Sequence, residues 1–202
     1  MRALIVLLPL TAAAQVVCVL GTGASASSYQ AAGDQRPAPD AMQIAARVNA
    51  AEKTICGDHC PGVALFRNST APNAALIANS GQAKLVYSPQ FFASVYAGFG
   101  DAGIIAIIAH EAGHALDDSL GAVWINKSWN TEVRADSWAG CVLARAALSS
   151  GDMRSALGAL AKYPSAAHPA WDLRLSAIRS GYTHCGGAGS NFDSASAGMK
   201  AK

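Results

Sequence analysis

The stretch IIAIIAHEAGHALDD, residues 104–118, sets His110, Glu111 and His114 into an otherwise apolar run. An α-helix turns about 100° and rises about 1.5 Å per residue, so His110 and His114 leave one face about 6 Å apart. Both imidazoles can reach one metal ion. Glu111 is rotated by about 100° from His110, which suits a base beside the ion better than a third ligand. Ile104, Ile105, Ile107 and Ile108 make the approach strongly apolar. Ionisable groups in such a core helix are costly unless they are paired or metal-bound. The HExxH spacing therefore reads as a zinc site on the helix around which the chain is organised.

Two histidines do not complete a catalytic zinc site, which takes three protein ligands and leaves one position open. The longer pattern HExxHxxGxxH is not met, because position 120 is Leu. Glu132 and Asp136 stand four residues apart in a second helical stretch, TEVRADSWAGCVLARAAL, on a face that continues through Ala139, Gly140 and Leu143. Glu132 is the expected third ligand, and Asp136 is expected to hold a ligand imidazole in its tautomer and orientation. The small pair Ala139-Gly140 is expected to let this helix approach the first. Asp117, one turn beyond His114, competes with Glu132 as ligand.

Outward from these helices the chain reads as α+β and mainly helical. Asp40 is a plausible cap for a helix to about Thr54, with Met42, Ile44, Ala45, Val48 and Ile55 as its apolar set. VALFR (63–67), AALIA (74–78) and AKLVY (83–87) read as three short strands of a small antiparallel sheet, with Asn79-Ser80-Gly81 as a turn. Ser88-Pro89 starts a helix that Gly98 and Gly100 end, and Asp101 caps the next. Further helices follow from Thr131, Asp152 and Ala170.

The first residues, MRALIVLLPLTAAAQVVCVLGTGASA, combine Arg2, an apolar stretch and a small-residue site at Ala24-Ser25-Ala26, which reads as a signal peptide over 1–26. A retained membrane anchor is the competing reading. Residues 27–39 read as a flexible lead-in, 40–185 as one domain and 186–202 as a disordered tail. Cys18 leaves with the leader, and Cys56, Cys60, Cys141 and Cys185 remain. An even number in an exported chain points to disulfides. Of three connectivities, Cys56–Cys60 with Cys141–Cys185 is favoured, against a second metal site at Cys56, His59 and Cys60. With 15 Lys and Arg against 13 Asp and Glu, nothing predicts nucleic-acid or membrane-surface binding. No integral membrane segment is expected after leader cleavage.

Several of these strings together resemble one family. SWNTEVRADSWAG after HEAGH, with LVYSPQFF and GIIAIIAHEAGH before it and His168-Pro169 with Arg174 after it, is similar to the gluzincin metallopeptidases of the CAAX prenyl protease type, specifically their soluble exported members. The resemblance spans roughly residues 60–180. It implies a zincin-like domain in which His110, His114 and Glu132 bind one Zn2+ and Glu111 is general base and acid. It also implies Asp136 and Arg174 behind the ligands and His168 stabilising an oxyanion. Asn73, Ala74 and Leu76 would line an edge for an extended substrate. The chain departs from the family in being short and in lacking membrane-spanning helices, which sets prenylated and membrane substrates aside.

The expectation is an exported, periplasmic or secreted zinc endopeptidase acting on polypeptide. The alternatives are a zinc-binding, chaperone-like protein on the same scaffold with little turnover, and a purely structural metal.

Overall fold

The computed structural model describes residues 15–20, 28–79 and 82–199. In chain order these form β1 (Gln15–Leu20), α1 (Pro39–Cys56), β2 (Val63–Arg67), β3 (Ala74–Asn79) and β4 (Gln82–Tyr87). There follow α2 (Pro89–Leu120), α3 (Thr131–Arg145), α4 (Ser150–Lys162), α5 (Trp171–His184) and α6 (Gly189–Ser196). The fold is α+β and mainly helical. Most of the expected leader, including Ala24-Ser25-Ala26, lies outside the described residues, as do Ser80 and Gly81 of the expected turn.

Ser88 Oγ accepts from the Phe91 amide and Pro89 occupies the first turn, so α2 begins where its cap chemistry dictates. Gly100, at φ 60° and ψ −159°, breaks the helical path and separates the PQFFASVYAGF segment from the one carrying HExxH. Gly121, at φ 53° and ψ 54°, closes it in the left-handed conformation that glycine tolerates. From Ala102 to Leu116 every residue is buried, which identifies this as the central core helix. It is also long and apolar enough to cross a membrane, but 56% of the relevant window is already buried inside the fold.

The sheet order is β1-β3-β4-β2. β3 and β4 pair antiparallel from Ala74↔Tyr87 to Asn79↔Gln82, as expected. β2 runs parallel to β4 instead, so the sheet is mixed rather than wholly antiparallel. The physical reason is that β4 returns between β2 and β3, so β2 and β3 follow each other in sequence without being neighbours, and β2 meets β4 running the same way. β1 adds a fourth strand, antiparallel to β3.

Three other expectations change. The lead-in is ordered: buried Asn68 donates from Nδ2 to the Gln30 carbonyl at 2.9 Å and to Asp34 Oδ1 at 2.7 Å, and Gln35 bridges Arg67. The tail forms α6, because Phe192 and Ala195, three residues apart, give it a buried face, with Phe192 against Tyr182. Helix α1 starts at Pro39 rather than being capped by Asp40, which falls in its first turn. Its buried set, Ala41, Ile44, Ala45, Val48 and Ala51, follows helical spacing.

Gly140 faces α5, not α2. A Cβ there would overlap the Ile178 carbonyl, and one on Gly181 of α5 would overlap the Ser137 carbonyl, so two glycines let α3 and α5 meet backbone to backbone. Both expected disulfides are formed, Cys56–Cys60 and Cys141–Cys185, with Cα separations of 5.2 and 5.0 Å. The second ties α3 to the end of α5 across that contact. With its sulfurs so engaged, the Cys56–Cys60 loop offers no thiolate to a metal.

Candidate metal centre

Close approach of α2 and α3 sets the geometry of the site. At Gly113, inside HExxH, a Cβ would come within 2.5 Å of the Ala135 carbonyl oxygen, so the α3 backbone lies directly on α2. Asn130 caps α3, its Oδ1 accepting from the Val133 amide at 2.9 Å. That fixes the first turn of α3, and with it Glu132, over His110 and His114.

Glu132 Oε2 is the centre of a ring of imidazoles. It lies 3.3 Å from His110 Nε2, 3.5 Å from His114 Nε2 and 2.7 Å from His168 Nε2. His110, Glu132 and His168 form a buried group whose donor atoms all lie within 4.8 Å of one another and could hold a metal ion. His114 Nε2 is buried beside them without a hydrogen-bond partner. The donors are nitrogen and oxygen, a set that suits zinc among other divalent metals. Burial alone would raise the Glu132 pKa, but the three imidazoles around the carboxylate, His110, His114 and His168, outweigh it and hold the carboxyl far below its usual range.

Behind the ring, His110 Nδ1 meets Asp136 Oδ1 at 2.9 Å. Asp136 is gripped by Arg174, whose Nε donates to Oδ2 at 2.8 Å and Nη2 to Oδ1 at 3.0 Å, while Nη1 donates to the Leu160 carbonyl at 2.9 Å. Both residues are almost wholly buried. Burial opposes the Asp136 charge, but Arg174 and His110 prevail and bring its pKa down to about 2. For His110, burial pulls the pKa down, and the Asp136 and Glu132 carboxylates more than reverse it, to about 9. Because Asp136 is an ionised acceptor, Nδ1 of His110 carries a proton, which leaves Nε2 as the atom that faces Glu132, holding the second proton while no ion is bound and able to give it up and offer a lone pair to one.

His168 is held differently. The Ser165 amide donates to its Nδ1 at 2.6 Å. A backbone N–H can only donate, so Nδ1 is the acceptor and the neutral ring carries its proton on Nε2, facing Glu132 and His110. Burial lowers the His168 pKa, and His110 and Arg174 add to the effect against the attraction of Glu132.

Glu111 is fully buried, and burial raises its pKa against the neighbouring histidines. Its Oε2 accepts from the Leu76 amide at 2.9 Å, while Oε1 has no hydrogen-bond partner. A carboxylate oxygen left bare inside a protein is costly, and such exceptions concentrate where chemistry needs them. Leu76 thus joins the site through its backbone. Ala74 opens β3, and Asn73 before it adopts φ 54°, a left-handed conformation that asparagine tolerates, with its carbonyl accepting from the Ser88 amide at 2.6 Å.

The structure therefore gathers His110, Glu111, His114, Glu132, Asp136, His168 and Arg174 at one place. It places Asp117 elsewhere, paired with Arg134 Nε at 2.7 Å. The edge expected at Asn73, Ala74 and Leu76 is not an edge among the described residues, because β1 pairs along β3. Ser165 and the Leu160 carbonyl were not legible in advance: both act through the backbone, which carries no side-chain signature. No protein-family model matches this chain, and no curated protein or solved structure shows significant similarity to it.

Proposed function

We propose that the chain is an exported zinc-dependent endopeptidase of the gluzincin type, hydrolysing peptide bonds in polypeptide substrates. The observation that carries this reading is Glu111, a wholly buried carboxylate with one oxygen anchored by the Leu76 amide and the other bare beside a ring of three histidines and Glu132. A metal held only for structure, or a scaffold that only binds, has no use for that oxygen.

In this reading His110, His114 and Glu132 hold the ion. Their chemistry fits: His110 is pre-set to offer Nε2, and His114 Nε2 has no other partner. His168 is set apart by the Ser165 amide, which leaves its Nε2 a donor rather than a lone pair. When bound, zinc supplies Lewis acidity, lowering the pKa of water toward about 7 and polarising a carbonyl.

The remaining steps belong to the chain. Glu111 Oε1 takes a proton from the attacking water and returns it to the leaving amine, and burial favours that exchange by raising its pKa toward working pH. His168 Nε2–H, 2.7 Å from Glu132 Oε2 and 3.2 Å from His110 Nε2, would donate to an oxyanion once Glu132 is taken up by the ion. Asp136 and Arg174 keep His110 in its tautomer. Export is supported by the leader-like N-terminus and by two disulfides.

The test is hydrolysis of an unfolded protein by zinc-loaded native chain and by Glu111→Gln, with metal content measured in both. The expected result is a loss of about 10²–10⁴-fold at unchanged zinc. Equal hydrolysis by the two proteins would overturn the mechanism.

A further inference from the structure

We infer that the outer edge of β3 is a strand-docking site which the chain fills with its own residues 15–20, so that the chain bearing this segment is latent until the segment is displaced or lost. The docking stands on the backbone pairing; the latency rests also on the hydrolytic reading above.

β1 reaches β3 from more than fifty positions earlier and pairs with it antiparallel, Gln15↔Ala78, Val16↔Ile77, Cys18↔Leu76, Val19↔Ala75 and Leu20↔Ala74. Both strands, QVVCVL and AALIAN, lack charge, proline and glycine. An uncharged edge with none of the usual guards is one that another strand joins unless something covers it. The valines at 16, 17 and 19 favour the extended chain that does so.

The pairing falls on the catalytic carboxylate. Leu76 gives its amide to Glu111 Oε2, and it is opposite Leu76 and Ile77 that β1 loses register, skipping Val17 between Val16 and Cys18. The docked strand thus bulges where Glu111 has taken a backbone donor from the ladder. Any extended peptide presented to Glu111 along β3 needs the backbone groups that β1 already uses. Because the occupant is tethered, it competes at an effective concentration that a free peptide must exceed. Cleavage after Ala26, expected from the sequence, would remove the occupant together with the leader.

The test compares full-length native chain with full-length Cys18→Pro/Leu20→Pro, since these residues stand opposite Leu76 and Ala74, whose backbone groups face β1, and proline there removes donors from the ladder. Three quantities are read on zinc-loaded protein: amide hydrogen exchange of residues 74–79, binding of a fluorescent peptide of sequence 13–22 bearing Cys18→Ser, and hydrolysis of an unfolded protein. Exchange in β3 about tenfold faster in the variant is expected. The peptide should bind the variant and not the native chain. Hydrolysis should rise about tenfold and fall again when peptide is added. A second form, with a site-specific protease sequence inserted after Gly23 and cut after folding, repeats the comparison without changing β1. Unchanged exchange and equal peptide binding in both forms would overturn the docking. Changed exchange and binding with equal, measurable hydrolysis would overturn the latency alone. Changed exchange and binding with no hydrolysis from any form would leave the docking standing, and would overturn the latency together with the hydrolytic reading.

Discussion

Asp136 stands between His110 and Arg174, its Oδ1 2.9 Å from His110 Nδ1 and its two oxygens both held by the guanidinium. All three groups are removed from water, so the arrangement is stable only while it is complete. Asp136→Ala leaves Arg174 as an unpaired buried cation and is expected to cost about 3–5 kcal/mol in the metal-free protein. Adding Arg174→Met removes that cation and should restore a large part of the loss. Urea unfolding of the native chain and both variants measures this. A double variant no more stable than the single would show that Arg174 is not the source of the cost.

The tautomers separate two histidines that distance alone does not. His168 Nε2 is nearer Glu132 than His114 Nε2 is, at 2.7 against 3.5 Å, yet its proton is placed on that nitrogen by the Ser165 amide. His114→Phe is therefore expected to weaken zinc binding by more than about 100-fold, whereas His168→Phe lowers turnover by about 10²–10³-fold and leaves affinity within a few-fold. Competition with a fluorescent chelator gives the affinities. Loss of zinc from the His168 variant and retention by the His114 variant would reverse the assignment.

What could be read in advance was local. HExxH and ExxxD each lie within two turns of one helix, so spacing alone puts their side chains on one face. The caps at Ser88 and the stops at Gly100 and Gly121 follow from single residues. What escaped was set by distant partners. The parallel pairing of β2 with β4 depends on which strand returns between two others, and the order of residues 28–35 depends on Asn68, more than thirty positions away. His168 lies 58 residues from His110 and entered only through a family resemblance, because one histidine before proline has no periodicity to place it. Gly140 was rightly expected to mark a close helix contact, but a glycine does not say which neighbour it admits.

That contact can be tested directly. Gly140 and Gly181 each meet the backbone of the facing helix, so an added methyl group pushes against peptide units that have no rotamer with which to yield. Gly181→Ala is expected to destabilise the fold by about 1–3 kcal/mol, despite the higher helix propensity of alanine. Gly158→Ala serves as the control, since the nearest atoms its methyl would meet belong to the Phe99 ring, a side chain able to shift. Thermal unfolding of both variants reads the difference, and equal midpoints would argue that α3 and α5 separate easily.

Glu52 supplies a pH signature independent of the metal site. It is 2% exposed, its Oε1 has no hydrogen-bond partner, and burial raises its pKa from 4.5 to about 7. A carboxyl with a folded pKa above its unfolded value binds more protons in the folded state between the two values. Its contribution is whole below pH 4.5 and is lost as pH rises to about 7. Glu52→Gln has no such proton to lose. Its stability relative to the native chain is therefore expected to rise across that window and level off above it, by up to about 3 kcal/mol. Urea unfolding of both proteins at intervals from pH 4 to 8.5 gives the difference directly, and other titrating groups cancel in it. A difference that stays flat with pH would mean that Glu52 is ionised in the folded protein and has a partner there.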